Sequence, residues 1–362
     1  MTVPSFLTSS ESGADDAGGD AYARAGVDLA ARNDLVSRIK QVIGAPKRPE
    51  VMGGVGPFSA LWKLATYREP VLAASTDGVG TKLRIAMLLD RYDTVGQDLV
   101  NHCVNDILTS GAHPLFSLDY IGSSDLAPER KLEVIAGMTK ACDDAGCSLI
   151  GGETADMPDI YAPGDFDLVG FIVGVVERDQ VIDGSKISEG DVLLALQSTG
   201  LHTNGYSLVR KVFGIGVGGS PDADRAILES SHPGLEGTLG DALLAVHRPY
   251  YHDLKPVLTR LHGIAHITGG GLIDNVPRIL PEGLAARFDS TAWRVPALFT
   301  LIQQQGSLSD DDMYHAFNMG LGIVLVVAPG DADAVGAQLR DAKAVGRIVR
   351  QGDHRRVIVS DA

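Results

Sequence analysis

The chain has 362 residues, 44% of them hydrophobic and 21% charged. That is too long for one ordinary core, about right for two domains, and apolar enough for a packed interior. A formal net charge of −15 with no basic block excludes the cationic surface that nucleic acids and anionic membranes require. It does not exclude a phosphorylated small substrate, because a bound divalent cation can supply the local positive charge.

No apolar run approaches the roughly 20 residues needed to span a bilayer. The opening MTVPSFLTSSESGADDAGGD lacks the basic start and apolar core of a signal peptide. Cys103, Cys142 and Cys147 have no CxxC spacing and lie in apolar periodic segments, so they read as buried free thiols. A cytoplasmic location is expected.

Residues 1–20 are rich in Ser, Gly and Asp and read as a mobile segment, followed by an N-terminal domain over 21–180. Residues 28–43 carry Leu29, Leu35, Val36, Ile39 and Ile43 at helical spacing behind Asp28, which predicts a capped helix. A Gly-rich loop follows at MGGVGPFSALW, then a buried strand at 71–76 that ends abruptly at DGVGTK.

Residues 94–110 predict a two-faced helix. Val100, Cys103, Val104, Ile107 and Leu108 form one face, and Asp98, Asn101, His102, Asn105 and Thr109 form the other, with Asp106 at its edge. The polar face holds no Lys or Glu, which fits a wet catalytic cleft better than an ordinary solvated surface. A strand at PLFSLDYIG, a helix at 128–145, SLIGGETADMP and a strand at 166–177 complete this half.

Apolar density drops near 178–188, which marks a boundary before a C-terminal domain over 181–362. A strand at DVLLAL, a helical stretch around 240–262, IAHITGGGLIDNVPRILP and a final strand–helix–strand pattern follow. Strands and helices alternate throughout, so the class is α/β (α+β).

No GxxxxGK[ST], no GxGxxG at βαβ spacing, no HExxH and no GxSxG occurs, so any use of ATP must take another route. In STDGVGTKLR (75–84) a strand runs into Asp77. A carboxylate at a strand end can bind a metal and a glycine turn can expose N–H groups to phosphate, although an Asp capping a plain βα turn is the structural alternative.

In IGGETADMPD, Glu153, Asp156 and Asp159 crowd beside a glycine pair; clustered carboxylates call for a cation unless they form a solvated acidic loop. His202, Thr203 and Asn204 lie in a Gly-bounded turn, where His can move protons and Thr and Asn can bind a ligand, or Asn–Gly can simply turn the chain. Gly269, Gly270 and Gly271 precede a helix, a place that exposes N–H donors to phosphate or merely gives a flexible joint.

Ten segments in order resemble the phosphoribosylformylglycinamidine cyclo-ligase (aminoimidazole ribonucleotide synthetase) family. They are AGVDLAARNDLVSRIK, RPEVMGGVGPFSAL, YREPVLAASTDGVGTKLRIA, DLVNHCVNDIL, PLFSLDYIG, LIGGETADMP, VGFIVGVVE, LHTNGYSLVRK, AHITGGGLIDNVPRILP and FNMGLG. The resemblance runs from about Ala25 to Val359. It implies two α/β domains, N-terminal sheets pairing in a homodimer, and ATP bound without a P-loop. It also implies ring closure of formylglycinamidine ribonucleotide with release of ADP and phosphate.

By the same resemblance Asp77, Asp106 and Glu153 are expected to hold Mg2+ and the ATP phosphates. Lys40, Gly53, Gly54, Gly78, Thr81, Lys82 and Asn105 are expected near the nucleotide. Thr203, Asn204, Gly269, Gly270 and Gly271 are expected near the substrate, with His202 first among proton carriers beside Asp77 and Asp106.

One segment departs from the family pattern: HRPYYHDLKPVL (247–258) stands where R-x-Y-V-K is common, so Lys255 takes no role. Sister enzymes fit less well. A formylglycinamidine ribonucleotide synthetase subunit would be longer, selenophosphate synthetase needs an early Cys, and thiamin-phosphate kinase does not need LHTNGYSLVRK. Intact Asp77, Asp106 and Glu153 argue against a non-catalytic nucleotide-binding scaffold.

Overall fold

The computed structural model describes residues 29–352 and 355–361, with side chains from Arg32 onward. The expectation for residues 1–20 lies outside these.

Helix α1 (Leu29–Ile43) is followed by a two-stranded ribbon, β1 (Val51–Met52) with β2 (Leu61–Trp62). A four-stranded sheet is built from β3 (Pro70–Gly78), β4 (His113–Ser123), β5 (Ser148–Asp156) and β6 (Phe166–Glu177), in the order β3–β6–β4–β5. Between its strands run α2 (Lys82–Leu89), α3 (Val95–Leu108) and α4 (Pro128–Ala145).

One face of this sheet packs on α3, where Leu99 stands 2.8 Å from where a Cβ on Gly170 would lie. The other face is open. Leu72 and Phe171, at 61% and 39% exposure, lie on it, and Phe116 is packed against Trp62 at 5.6 Å between ring centroids.

The register sets Asp77, Gly170, Asp119 and Gly152 side by side across the four strands. Strand alternation turns Glu153 to the opposite face. Gly152 has no Cβ for a steric reason: one placed there would sit 2.1 Å from Asp119 Oδ1.

The second half is built on a six-stranded sheet. Its strands are β7 (Val192–Gln197), β8 (Leu261–His266), β9 (Leu284–Asp289), β10 (Leu321–Val327), β11 (Lys343–Arg350) and β12 (Val357–Ser360), in the order β12–β9–β11–β7–β10–β8. All pairs are antiparallel except β12 with β9. One apolar cluster runs from α3 and α4 through to Leu194, Tyr250 and Phe317, and a second, around Phe288, Val324 and Trp293, fills the other side of the large sheet.

The helical stretch expected around 240–262 is not one helix. Helix α7 (Leu239–Leu243), after α5 (Tyr206–Phe213) and α6 (Pro221–Leu228), gives way to irregular chain over 245–250. Then come α8 (Tyr251–Leu254), a 3₁₀ turn at Leu258–Arg260 and β8. Pro249 and Pro256 lack the N–H a helix needs.

Main-chain groups of His247, Arg248 and Tyr250 are instead met by side chains of α3. Asp98 Oδ1 accepts from His247 N–H (2.7 Å), Asn101 Nδ2 donates to His247 O (2.7 Å), Asn105 Nδ2 donates to Arg248 O (2.9 Å) and Asn105 Oδ1 accepts from Tyr250 N–H (3.0 Å). Residues 98, 101 and 105 form one line along a helix, so a single stripe of α3 reads a stretch of backbone from the other half. The polar face expected to line a wet cleft is thus largely buried: Asp98 and Asn105 have no exposure and Asn101 has 4%.

Lys82, from α2, completes this joint. Its Nζ lies 2.7 Å from Asp98 Oδ2 and donates to Ala245 O at 2.8 Å, with both charged side chains fully buried. Burial pulls the Lys82 ammonium down and pushes the Asp98 carboxyl up, each opposed by the partner's charge.

A buried pair of this kind punishes removal of one member more than removal of both. Lys82→Met should lower the unfolding free energy by about 3–5 kcal/mol. Adding Asp98→Asn, which keeps the acceptor for His247 N–H, should recover most of the loss. Urea titration of both variants checks this, and a negligible effect of Lys82→Met alone would contradict it.

Candidate functional site

The next stripe of α3, His102 and Asp106, faces the place where the two halves meet. His102 Nε2 lies 2.8 Å from Asp77 Oδ2 and 3.7 Å from Asp106 Oδ2, while its Nδ1 lies 2.7 Å from Thr203 Oγ1. His266, at the end of β8, sets Nδ1 2.9 Å from Asp106 Oδ1, and Ser75 Oγ donates to Asp106 Oδ2 at 2.9 Å. The two carboxylates, from β3 and α3, therefore converge on one imidazole.

They are partly open, with side-chain exposures of 47% for Asp77 and 27% for Asp106, whereas His102 and His266 are 3% exposed. Burial alone would raise both carboxyls, but the hydrogen bond and charge of His102 at Asp77, and of His266 and His102 at Asp106, hold them below the usual range. For His102 burial opposes the charge, but the surrounding carboxylates outweigh it and raise the imidazole above its ordinary value.

Beside this pair, Asn204 Nδ2 donates to Thr203 Oγ1 at 3.4 Å, and Asn204 Oδ1 would be 3.3 Å from a Cβ on Gly269. The glycine loop leaves its carbonyls to the protein: Asn275 Nδ2 donates to Thr268 O, Gly269 O and Gly271 O at 2.8–3.3 Å. Gly270 and Gly271 have φ of 92° and 57°. The helix after the loop, α9 (Gly271–Asn275), has five residues, so its dipole is small and the loop's own N–H groups matter more.

Asp77, Asp106, Thr203, Asn204 and Gly269 thus gather in one place. Gly78, whose N–H is bonded by Asp77 Oδ1 (2.7 Å), and Thr81, whose Oγ1 lies 3.1 Å from Ser207 Oγ, flank it.

The remaining expected site residues lie elsewhere. Lys82 and Asn105 are spent in the buried joint. His202 is 1% exposed, its Nε2 accepts the Thr199 N–H at 3.3 Å, and its ring stacks on His247 at 3.9 Å. Burial depresses its basicity well below the ordinary value, so the proton-carrying role expected from the sequence has no open face to act through. Its φ of 62° is a left-handed conformation held by this packing. Gly322 serves the same packing, since a Cβ there would lie 1.9 Å from Tyr250 Oη and 2.7 Å from His202 Cε1.

Gly54, next in the chain to Gly53, and Glu153 line a different feature, a groove of about 790 Å3 around the β5 edge that Arg32 and Asp119 also line. Lys40 Nζ abuts Gly56 of the same glycine loop, and Glu153 pairs with Arg32 at 3.8 Å. Asp119, which the sequence reading missed, is pushed up to about 7, chiefly by burial and further by Glu153. Its signal was faint: an acidic residue in an apolar strand with nothing nearby in sequence to explain it.

Among the described residues, two groups of side chains could bring ligand atoms within 4.8 Å of one another, His102–Asp106–His266 and His202–His247–His266. In the second, His202 and His247 stack at 19°, so their in-plane lone pairs run parallel rather than toward a common ion. The donors at the first, with Asp77 beside it, include the two partly open carboxylates, the hard oxygen ligands that Mg2+ prefers.

Comparison with known proteins identifies the family. Residues 60–176 match the model of the AIR synthase related protein N-terminal domain, and residues 188–359 match that of the C-terminal domain. Phosphoribosylformylglycinamidine cyclo-ligase of Desulfitobacterium hafniense is 50% identical over 328 residues, covering 90% of this chain and 94% of that protein. The enzyme of the same name from Xanthomonas campestris is 47% identical over 348 residues, covering 92% and 98%.

Among solved structures, the hydrogenase maturation protein HypE in complex with ATP superposes with a TM-score of 0.65 at 17% identity, covering 92% of each chain. Thiamine-monophosphate kinase from Stenotrophomonas maltophilia does so at 0.61 and 16%, covering 90% and 95%; at such identities the likeness is of fold. No helix among the described residues is long and apolar enough to cross a membrane. With both domain models matched in order and relatives at about half identity over nearly the whole length, the chain belongs to the phosphoribosylformylglycinamidine cyclo-ligase family.

Proposed function

We propose that the chain catalyses ATP-dependent ring closure of 5′-phosphoribosylformylglycinamidine to 5-aminoimidazole ribonucleotide, with release of ADP and phosphate, in cytoplasmic purine biosynthesis. The observation that carries this reading is the convergence of Asp77 and Asp106 on His102, beside the Thr203–Asn204 turn and the Gly269–Gly271 loop. Identities of 47–50% with cyclo-ligases, against 16–17% with the kinase and HypE, favour this substrate over those of sister enzymes.

The formamide oxygen attacks the γ-phosphorus of ATP and ADP leaves. The amidine nitrogen then attacks the activated carbon, and phosphate leaves in place of a poor oxygen leaving group. Such a reaction asks the protein mainly for positioning and charge neutralisation.

Mg2+ held by Asp77 and Asp106 would neutralise the ATP phosphates when bound. His102 and His266 orient the two carboxylates from behind; Gly78, whose N–H is taken by Asp77 Oδ1, lies at the strand end beside them, and the hydroxyl of Thr81 faces the phosphate chain. Thr203, Asn204 and the Gly269 and Gly270 N–H groups take the ribose phosphate, while Gly271, whose N–H donates to Thr268 O, closes the loop beside it. Lys40, Gly53, Gly54, Glu153 and Asp119 border the groove that suits the rest of the nucleotide. Lys82, Asn105 and His202 support the site rather than touch the reactants.

The open face of the four-stranded sheet, with Leu72 and Phe171 uncovered, favours a homodimer in which two such sheets meet, since exposed apolar faces of this kind mark interfaces.

Asp77→Asn and Asp106→Asn should each reduce substrate-dependent ADP release by roughly 10²–10³-fold or more with the thermal transition kept. Near-normal turnover in both would remove the carboxylates from the mechanism. Phe171→Asp should shift the protein to monomer in analytical ultracentrifugation, and an unchanged sedimentation coefficient would exclude this face as the interface.

A further inference from the structure

A cavity of about 140 Å3 lies between the two halves, where the chain crosses from β6 to β7. His113, the first residue of β4, lines it from the N-terminal half. Asp179, Asp183 and Lys186 of the crossing segment, with Lys255 and His262 of the C-terminal half, supply its other ionisable groups. None of these residues belongs to the site where Asp77 and Asp106 meet.

The acids of this cavity are already engaged. Asp179 accepts from Arg68 Nη2 at 2.9 and 3.1 Å, and Asp183 Oδ1 accepts from Ser185 N–H at 2.9 Å. The Asp183 carboxyl is held low chiefly by Ser185, and the Lys186 charge is the least of the causes. The bases remain free of carboxylates. Among the described residues no acid pairs with Lys186 or Lys255, and Lys255 Nζ stands 5.7 Å from the centre of the Tyr251 ring. His113 Nδ1 lies 2.9 Å from Tyr251 Oη and His262 Nδ1 lies 2.7 Å from Asp191 Oδ2, which leaves Nε2 of each ring without a partner among the described residues.

Exposed lysines by themselves say little, since a long side chain can keep its head in water. The half-buried His113 says more, because Tyr251 holds its ring in place. Its basicity is lowered first by burial and then by the Lys255 charge, so that charge stands close to the ring. Like charges gathered without a counter-charge repel one another. In a chain of net charge −15, such a cluster is the positive counterpart of the carboxylates at Asp77 and Asp106.

Size selects the ligand. At about 30 Å3 for a water in the liquid, the cavity holds a few waters or one small anion, and the groove beside β5 is far larger. Ammonium groups converging from two segments suit the several acceptor oxygens of a tetrahedral oxyanion, with charge-assisted bonds. His113 meets such an ion with an Nε2–H when Tyr251 Oη donates to its Nδ1.

We propose that this cavity is a binding site for a small tetrahedral oxyanion of the inorganic phosphate class, held by Lys186, Lys255 and His113. A bound anion ties the crossing segment and the turn before β8 to the N-terminal sheet, and so stabilises the contact between the halves without entering the reactant site. Lys255, in the segment that departs from the family pattern, gains a use that the reaction does not give it.

The test uses full-length protein labelled with 15N-histidine, titrated with inorganic phosphate and, in parallel, with chloride at equal ionic strength. Phosphate should move the His113 ring-nitrogen signals, assigned with His113→Gln, to saturation, and chloride should not. The Lys186→Met/Lys255→Met double variant should weaken the response by about 10–100-fold through loss of charge-assisted bonds. Asn204→Ala, which alters the reactant site, should leave it unchanged.

Equal responses to phosphate and chloride in the unmodified protein overturn the proposal, whether or not the variants fold. So does an undiminished response in the folded double variant. A response abolished by Asn204→Ala overturns it as well, because the anion then acts from the reactant site.

Discussion

The structure depends on one helix face reading a backbone. Asp98, Asn101 and Asn105 of α3 take the hydrogen-bonding groups of residues 247–250, and Lys82 takes Ala245 O. Buried polar groups left unmet cost more than the bonds themselves yield, so this stripe allows one register between the halves and penalises others. Apolar packing alone, which is non-directional, would not set the angle and depth of contact so closely. The adjacent stripe of the same helix carries His102 and Asp106, so the joint and the site share one rigid element. A shift in the joint is therefore a shift in the site.

The electrostatics follow from that arrangement. A chain with net charge −15 brings Asp77 and Asp106 together, which by itself is unfavourable. Imidazoles placed behind and between them relieve the repulsion, and both carboxyls stay ionised and partly open. The supporting rings are held in turn by residues of the other half: Thr203 bonds His102, and His247 bonds His266. Fixed rings in the protein thus supply part of the charge neutralisation, and the carboxylate oxygens left open are of the hard kind that suits a divalent cation.

Periodicity made much of the N-terminal half legible. The helix expected at 28–43 is α1 and the one at 94–110 is α3, while the strand at 166–177 is β6. Asp77 and Asp106 stood out as a carboxylate at a strand end and one on a helix whose polar face lacks Lys and Glu, and the structure brings both onto His102. The 240–262 stretch misled because its apolar spacing looks helical, whereas its main chain is claimed by side chains about 145 residues earlier. Spacing carries no trace of that.

Lys82 illustrates the same limit. A lysine after a glycine turn reads as a phosphate ligand until Asp98 is found 2.7 Å away in the interior. Glu153 was grouped with Asp77 by the family resemblance, but the strand register turns it away and puts Asp119 in that row instead. His202, His247 and His266 are far apart in sequence, and nothing local says that they stack or touch.

The central claim is that the backbone-reading stripe of α3 builds the site it does not itself touch. The most direct measurement is ADP release with formylglycinamidine ribonucleotide, ATP and Mg2+ for Asn105→Ala, alongside nucleotide binding by the same variant. Asn105 faces the joint, and a misplacement of about 1 Å in a site of this kind costs on the order of 10²-fold in rate. A loss of that size in folded protein that still binds ATP is the expected result. Turnover close to that of the unmodified enzyme would contradict the claim that the joint sets the geometry of the site.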